Sequence, residues 1–300
     1  MNPLLSGLLR LVLFCAGSFV TVLPRPLEMR LGQALGRTLL VLDWKRKKIA
    51  RENMARCLPE LSLEQRERLL EENYRHYGIL ALEILHFFSP VPGHYRAYTR
   101  RVTVLEGYAN WKRAHDRGKG VLFISGHFAN WELMVGIGGI NGIPLTLVTR
   151  HLKPEWLHKR IEAQRLSVGC QSVYQPRTVP AIMKALRKGG AIGFAGDQYM
   201  PPPMGIPVPF FGIEVDSLAA IGPLALRTGA AIIPALQKRE PDGRLRIVMS
   251  EELDLGPELQ DSRRVASAVA LQIEKIIRAN PAQWLWVHRR FKNLKPGPAR

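Results

Sequence analysis

Cysteine is scarce in this chain. Cys15, Cys57 and Cys170 are the three in 300 residues, odd in number and far apart. They match neither a zinc-ligand spacing nor a disulfide framework, which points to a reducing, cytosol-facing compartment. Acidic residues are also few: 25 Asp and Glu stand against 43 Lys and Arg, leaving a net charge of +18. That balance favours anionic partners, whether nucleic acid, an acidic membrane surface or an acidic protein. There is no internal repeat, no low-complexity tract and no glycine-rich nucleotide loop. Gly136, Gly138 and Gly139 suggest a dinucleotide turn only at first sight; they fall in or after a helix, where close packing explains them better. No Ser or Cys is presented by an elbow motif, so a hydroxyl to be activated belongs to a substrate.

Long apolar runs are limited to one, residues 4–23. As a helix it would extend about 30 Å, just enough to cross a bilayer. Arg10 interrupts it, so the segment either spans with Arg10 snorkelling or lies flat at the interface. No basic residue precedes the run and no small-x-small site follows it, which argues against a cleaved signal peptide. The cations come afterwards, at Arg25, Arg30, Arg37, Lys45, Arg46, Lys47, Lys48 and Arg51, and the positive-inside rule keeps the body in the cytoplasm. With 46% hydrophobic residues, the chain has enough apolar content for one sizeable core. The expected organisation is an anchor or interfacial helix at 1–25 and a single domain at 26–300, with a helical lead-in to 95 and an α/β core from 96.

What is there centres on residues 120–132, GVLFISGHFANWE. A short apolar run ends at Ser125-Gly126, and His127 follows where a strand hands over to a helix. Carboxyl ends of strands open onto a crevice, and a helix start adds free N–H groups and a positive dipole end. In one continuous helix, positions five apart differ by roughly 140° around the axis. His127 and Glu132 therefore meet only if His127 precedes the helix. Glu132 then reaches back to one ring nitrogen and the pair makes a general base, with Asn130 between them as a substrate-binding candidate. The alternative is a surface His followed by a Glu that the helix dipole favours.

Along the chain, residues 27–89 read as helices, with a capping box at Ser62 and Gln65 and an aromatic stripe through Tyr74, Tyr77 and Phe88 that suits a core or a groove wall. Strands are predicted at 102–105, 121–125, 144–148, 191–195, 231–236 and 245–249, and helices at 155–168, 179–186, 218–227 and 262–279. This alternation gives an α/β fold: a mixed, mainly parallel sheet flanked by helices. Arg150 closes one strand at the same edge as His127 and can bind phosphate or carboxylate, unless it is a solvated Arg beside His151 and Lys153. Asp197 and Gln198 close another. Residues 200–212 form a stiff Pro- and Phe-rich loop that suits an acyl-chain wall or a simple crossover. Near the C-terminus Trp284 and Trp286 stand beside His288, Arg289, Arg290 and Lys292, a combination that fits a lipid-headgroup interface. No nucleic-acid recognition motif accompanies them.

These stretches together resemble a known family. H-x4-E at His127 and Glu132, RKKIAREN at 46–53, Gly196-Asp197-Gln198, VPFFG at 208–212 and QWLWVHRRFK at 283–292 resemble the lipid A biosynthesis lauroyl/myristoyl (late) acyltransferases, within the H-x4-D/E glycerolipid acyltransferase superfamily. The resemblance runs from the apolar N-terminus to Lys292. It implies an acyltransferase at the cytoplasmic face of the bacterial inner membrane, using an acyl-acyl carrier protein thioester and a lipid acceptor, with no metal or organic cofactor and no nucleic acid. By the same resemblance, Asp197 helps to orient the acceptor. One departure stands out: where an Ala-Thr-rich helix start should follow VPFFG, this chain has Val215-Asp216-Ser217-Leu218, and Asp216 or Ser217 would cap that helix. Another membrane glycolipid or a lysophospholipid as acceptor, or a non-catalytic basic binder, are the rival readings.

Overall fold

The computed structural model describes residues 2–176 and 178–294. Asn2 caps the first helix, α1 (Pro3–Val22), by accepting from the Leu4 N–H, and Pro3 supplies the first helical turn. This helix is long and apolar enough to cross a membrane, and only Gly17 and Val20 of it are buried. Gly17 permits the contact, since a Cβ there would lie 2.5 Å from the carbonyl carbon of Phe88.

Three helices follow: α2 (Arg25–Leu42), α3 (Trp44–Cys57) and α4 (Leu63–Leu85). The capping box is present, with Ser62 and Gln65 each bonding the other's backbone. α2 and α4 cross closely at Gly32, Gly36 and Gly78, where a Cβ on Gly78 would fall 2.0 Å from the Gly32 carbonyl oxygen.

The α/β part runs α5 (His94–Val102), β1 (Thr103–Glu106), α6 (Tyr108–His115), β2 (Val121–Ser125), α7 (Trp131–Ile140), β3 (Leu145–Thr149), α8 (Glu155–Ser167), β4 (Gln171–Tyr174), α9 (Val179–Arg187) and β5 (Ala191–Ala195). It continues with β6 (Gly205–Phe210), β7 (Ile213–Leu218), α10 (Ile221–Thr228), β8 (Ala231–Arg239), β9 (Leu245–Met249) and α11 (Ser262–Ala279). Seven strands form one sheet in the order β1-β9-β8-β2-β5-β3-β4, parallel at every pairing except β8 with β9. The expected mainly parallel sheet flanked by helices is the architecture observed. β2 lies at its centre with all five residues buried, as an apolar strand covered on both faces should. Its pleat sends Leu122 and Ile124 into the core shared with α10, α11 and the C-terminal segment, and Val121 and Phe123 into the core shared with α5, α6 and α7.

Residues 200–218 differ from expectation. β6 and β7 form an antiparallel ribbon, turned through Phe211 and Gly212 at φ 51° and 72°, with Val208 opposite Val215. Prolines obscure the alternation of buried Val208, Phe210, Val215 and Ser217. Pro207 and Pro209 share one parity, so a two-stranded ribbon can leave both on its open edge. In consequence Asp216 and Ser217 are strand residues, and α10 starts later, behind Ala220, with no side-chain cap.

Candidate functional site

β2 ends at Ser125, and Gly126 makes the turn. Any Cβ at Gly126 would meet the Phe128 ring at 2.6 Å and the Asp197 carboxyl carbon at 3.1 Å. Ala129 adopts a left-handed φ of 37°, a strained conformation held by its N–H donating to the Gln283 carbonyl at 2.9 Å. Leu285 donates to the His127 carbonyl at 3.1 Å, so the C-terminal segment pins this loop from outside.

His127 is set by Asp197. The imidazole Nδ1 lies 2.9 Å from Asp197 Oδ1, and the His127 backbone N–H donates to Oδ2 at 2.8 Å. Trp284 Nε1 donates to the same Oδ2 at 2.9 Å. Burial alone would raise the Asp197 pKa, but the charge and hydrogen bonds of His127, aided by Trp284, hold it well below the usual carboxylate range. Burial would likewise depress His127; the Asp197 charge and hydrogen bond outweigh it, with a smaller contribution from Glu132, and the imidazole pKa is raised above its ordinary value. Gln198 Nε2 sits 3.3 and 3.4 Å from the two ring nitrogens, nearly equidistant and committed to neither. Trp131 meets the ring edge-on at 4.9 Å between centroids.

The ring contact expected of Glu132 is thus made by Asp197. Strand register explains it: Ser125 pairs with Ala195, and His127 and Asp197 each lie two residues further on. Glu132 is at the second position of α7 and turns instead to Arg165 of α8, which donates to its carboxylate at 2.6 Å and 3.0 Å. Burial alone would depress the Arg165 pKa, but bidentate pairing with Glu132 raises it further above the usual range. Arg165 was not legible in the sequence, where it is one cation in a polar helix.

Asn130, a substrate-binding candidate from sequence, is buried and committed to structure. Its Oδ1 caps α7 by accepting from the N–H groups of Glu132 and Leu133, and its Nδ2 donates to Glu83 Oε2 at 2.9 Å. Glu83 also binds Arg239, which donates to it through both terminal nitrogens, and Arg25. Burial would raise the Glu83 pKa; the two guanidiniums bring it down to about 2. Arg150 stands just past β3 at the carboxyl edge of the sheet, exposed, with Nε donating to Gln175 Oε1 at 3.1 Å.

Trp284 and Trp286 are completely buried rather than interfacial. Trp286 Nε1 donates to the Pro281 carbonyl at 2.7 Å, so both indoles satisfy their polar atom inside the protein. Arg290 is buried as well. It donates to the backbone carbonyls of Gln198 and Asp216 and to Ser217 Oγ, and burial lowers its pKa to about 10. Asn73 Nδ2 donates to the carbonyls of Ala282 and Trp284, and Asn53 Nδ2 to those of Trp286 and His288. Trp284, Trp286 and Arg290 of the segment read as a lipid interface are therefore part of a clamp behind the site, while Arg289 and Lys292 are exposed.

Beside His127 opens a cavity of about 170 Å³. His127, Trp131, Glu132 and Arg165 contribute its polar and aromatic rim, and Phe123, Gly138, Leu145, Leu147 and Met249 its apolar depth. No cluster of three or more His, Cys, Asp or Glu side chains suited to a metal occurs among the described residues. The arrangement offers an imidazole with Nδ1 held by Asp197 and a largely apolar cavity next to it. That combination suits proton removal from a polar group and the holding of an alkyl chain.

The sequence profile of the bacterial lipid A biosynthesis acyltransferases matches residues 8–293. The chain is 27% identical over 284 residues to the lipid A biosynthesis lauroyltransferase of Escherichia coli K12, covering 93% of this chain and 89% of that one. It is 29% identical over 282 residues to the lipid A biosynthesis palmitoleoyltransferase of the same organism, covering 92% and 88%. A more distant similarity, 28% over 179 residues and 57% of this chain, is to a phosphatidylinositol mannoside acyltransferase of Mycolicibacterium smegmatis, of which it covers 56%.

Proposed function

The chain belongs to the bacterial lipid A biosynthesis acyltransferase family, and from that premise we propose that it moves a fatty acyl chain from an acyl-acyl carrier protein thioester to a hydroxyl of a lipid A precursor. The observation that carries the chemistry is the double contact of Asp197 with His127. It fixes the Nδ1 side, so Nε2 is the nitrogen that takes the proton.

His127 Nε2 removes the acceptor's hydroxyl proton as that oxygen attacks the thioester carbonyl carbon. The imidazolium that forms is stabilised by the Asp197 carboxylate, and the positive end of the α7 dipole favours the oxyanion. Collapse of the intermediate breaks the carbon–sulfur bond, and the imidazolium returns its proton to the leaving thiolate. The alkyl chain occupies the apolar cavity, where each buried methylene contributes about 0.8 kcal/mol. Glu132 and Arg165, paired at the rim, act as a unit that shapes the mouth and binds polar parts of the substrates; Gln198 and Arg150 contribute from the same edge. The +18 charge suits an acidic carrier protein and an anionic lipid surface. α1 supplies the membrane attachment, with the basic body on the cytoplasmic face of the inner membrane.

The test is an acyl-transfer assay in detergent, with carrier protein and CoA thioesters of several chain lengths offered against a lipid A precursor and control glycolipids, and products read by mass. An acylated lipid A precursor is expected, and His127→Ala should lower its rate by roughly a hundred- to ten-thousand-fold. Wild-type turnover in that variant would overturn the base assignment. The similarity to the mannoside acyltransferase favours one second reading, a different glycolipid acceptor, which product only on a control lipid would establish.

A further inference from the structure

α2 buries Gly32 and Gly36 against α4, and Glu28 against His86 and Tyr98. The side turned away carries Leu27, Leu31, Ala34, Thr38, Val41 and Leu42, all exposed. At 3.6 residues per turn these six positions fall within roughly 100° of arc, a continuous stripe along the whole helix. Its large members are all exposed, from Leu31 at 37% and Leu27 at 43% to Leu42 at 69% and Val41 at 74%. Soluble proteins seldom leave such a stripe uncovered.

The surroundings identify what covers it. Arg30 and Arg37 are exposed along one margin. At the C-terminal end Trp44 is 68% exposed, with Lys45 Nζ 5.1 Å from the centre of its ring. Lys48 is exposed one turn further. Indole beside ammonium at the end of an apolar stripe is the composition of a headgroup layer contact. Only Leu23 and Pro24 separate α2 from α1, whose own apolar side chains are largely exposed.

We propose that α2 is an interfacial helix, lying in the plane of an anionic bilayer surface with its stripe among the upper acyl segments, Arg30 and Arg37 on lipid phosphates, and Trp44 and Lys45 setting the depth. The inference rests on the membrane attachment proposed for α1 and adds a second, parallel contact. Because α4 is packed on α2 through glycines and carries Glu83, which holds Asn130, the mouth beside His127 is kept at a fixed height above the lipid.

The test uses the full chain in vesicles of phosphatidylethanolamine and phosphatidylglycerol. An environment-sensitive fluorophore is placed at Ala34→Cys on a Cys15→Ser background, Cys57 and Cys170 being buried. The control site is Lys119→Cys, ahead of β2 at the sheet edge opposite His127. At position 34 the emission should shift to the blue, lose its quenching by iodide and gain quenching by spin-labelled lipid, while position 119 changes in none of these. Equal iodide access at both sites overturns the proposal. So does iodide protection without lipid quenching, which would assign the stripe to a contact between copies of the chain. In the triple variant Leu31→Glu, Val41→Glu, Leu42→Glu the rate on vesicle-embedded acceptor should fall with the detergent-dispersed rate kept; equal loss in both overturns it as well. The fluorescence readings need no turnover, so absence of acylated product with any substrate pair defeats the proposed function separately.

Discussion

His127 and Asp197 are neighbours across a strand pairing, each two residues beyond the partners Ser125 and Ala195 on parallel β2 and β5, and 2.9 Å apart at Nδ1 and Oδ1. Seventy residues of sequence separate them. The consequence is a base whose orientation and proton affinity are set by one buried carboxylate, with the Trp284 indole and the His127 amide holding that carboxylate in turn.

Asp197→Asn should separate orientation from affinity in the pH profile. The carboxylate holds the His127 pKa above its ordinary value, so in the wild type the acid limb of kcat should lie above about 6.5. Without that charge, burial dominates and the imidazole becomes less basic. The limb should move to lower pH while the plateau falls roughly a hundredfold or more. In stability the sign is opposite to that of a depressed carboxylate: the raised imidazole contributes fully below its unfolded pKa, and this part is lost as pH rises through the folded one. A lowered plateau with an unmoved limb would mean that Asp197 acts only as a structural tie.

Glu132 and Arg165 have side chains that are 11% and 10% exposed; removing Arg165 strands a largely buried carboxylate, whereas removing Glu132 leaves Arg165 its second bond, to Glu162 at 3.0 Å. Arg165→Met alone should destabilise the protein by about 3–5 kcal/mol, Glu132→Gln by less because Arg165 keeps Glu162, and the double variant by less than the sum. Chemical denaturation provides the measurement. Transfer activity should stay low in the double variant even as stability recovers, because the charges at the cavity rim are gone. Recovery of both together would reduce the pair to a structural ion pair.

Chain-length preference should respond to Gly138. A Cβ there would meet Ile143 and Leu145 at 3.7 and 3.9 Å, ordinary contacts, so a larger side chain is directed into the cavity without breaking the helix packing. Gly138→Leu should shift preference to shorter donors. Each excluded methylene removes about 0.8 kcal/mol, near fourfold in kcat/KM. Competition between donors of different length, read by product mass, decides it; unchanged preference would place the alkyl chain elsewhere.

The crossing of α2 and α4 should tolerate no side chain at Gly78, where a Cβ would lie 2.0 Å from one backbone atom and 2.3 Å from another. Gly78→Ala is expected to cost on the order of 3 kcal/mol or more, measured by thermal unfolding in detergent. A melting temperature within a degree or two of the wild type would show that the two helices separate at no cost.

The local patterns of the chain were sufficient for its class. The apolar runs at 121–125, 191–195 and 245–249 are the strands observed, the capping box at Ser62 and Gln65 is present, and His127 does stand between a strand end and a helix start. Each follows from periodicity or from contacts a few residues long. Partner choice is different in kind. Which carboxylate meets His127 depends on the register of β2 with β5, and the nearer acid, Glu132, is drawn to Arg165 on a helix 33 residues away. Trp284, Trp286 and Arg290 look interfacial beside their cations, yet they are internal, where Asp197 accepts from the Trp284 indole, the Pro281 carbonyl from the Trp286 indole and Ser217 from Arg290. Prolines concealed the alternation of β6 and β7, which becomes visible once the two strands face each other. Short-range preference is written residue by residue, whereas the site is assembled from segments that meet only after the sheet has fixed their registers.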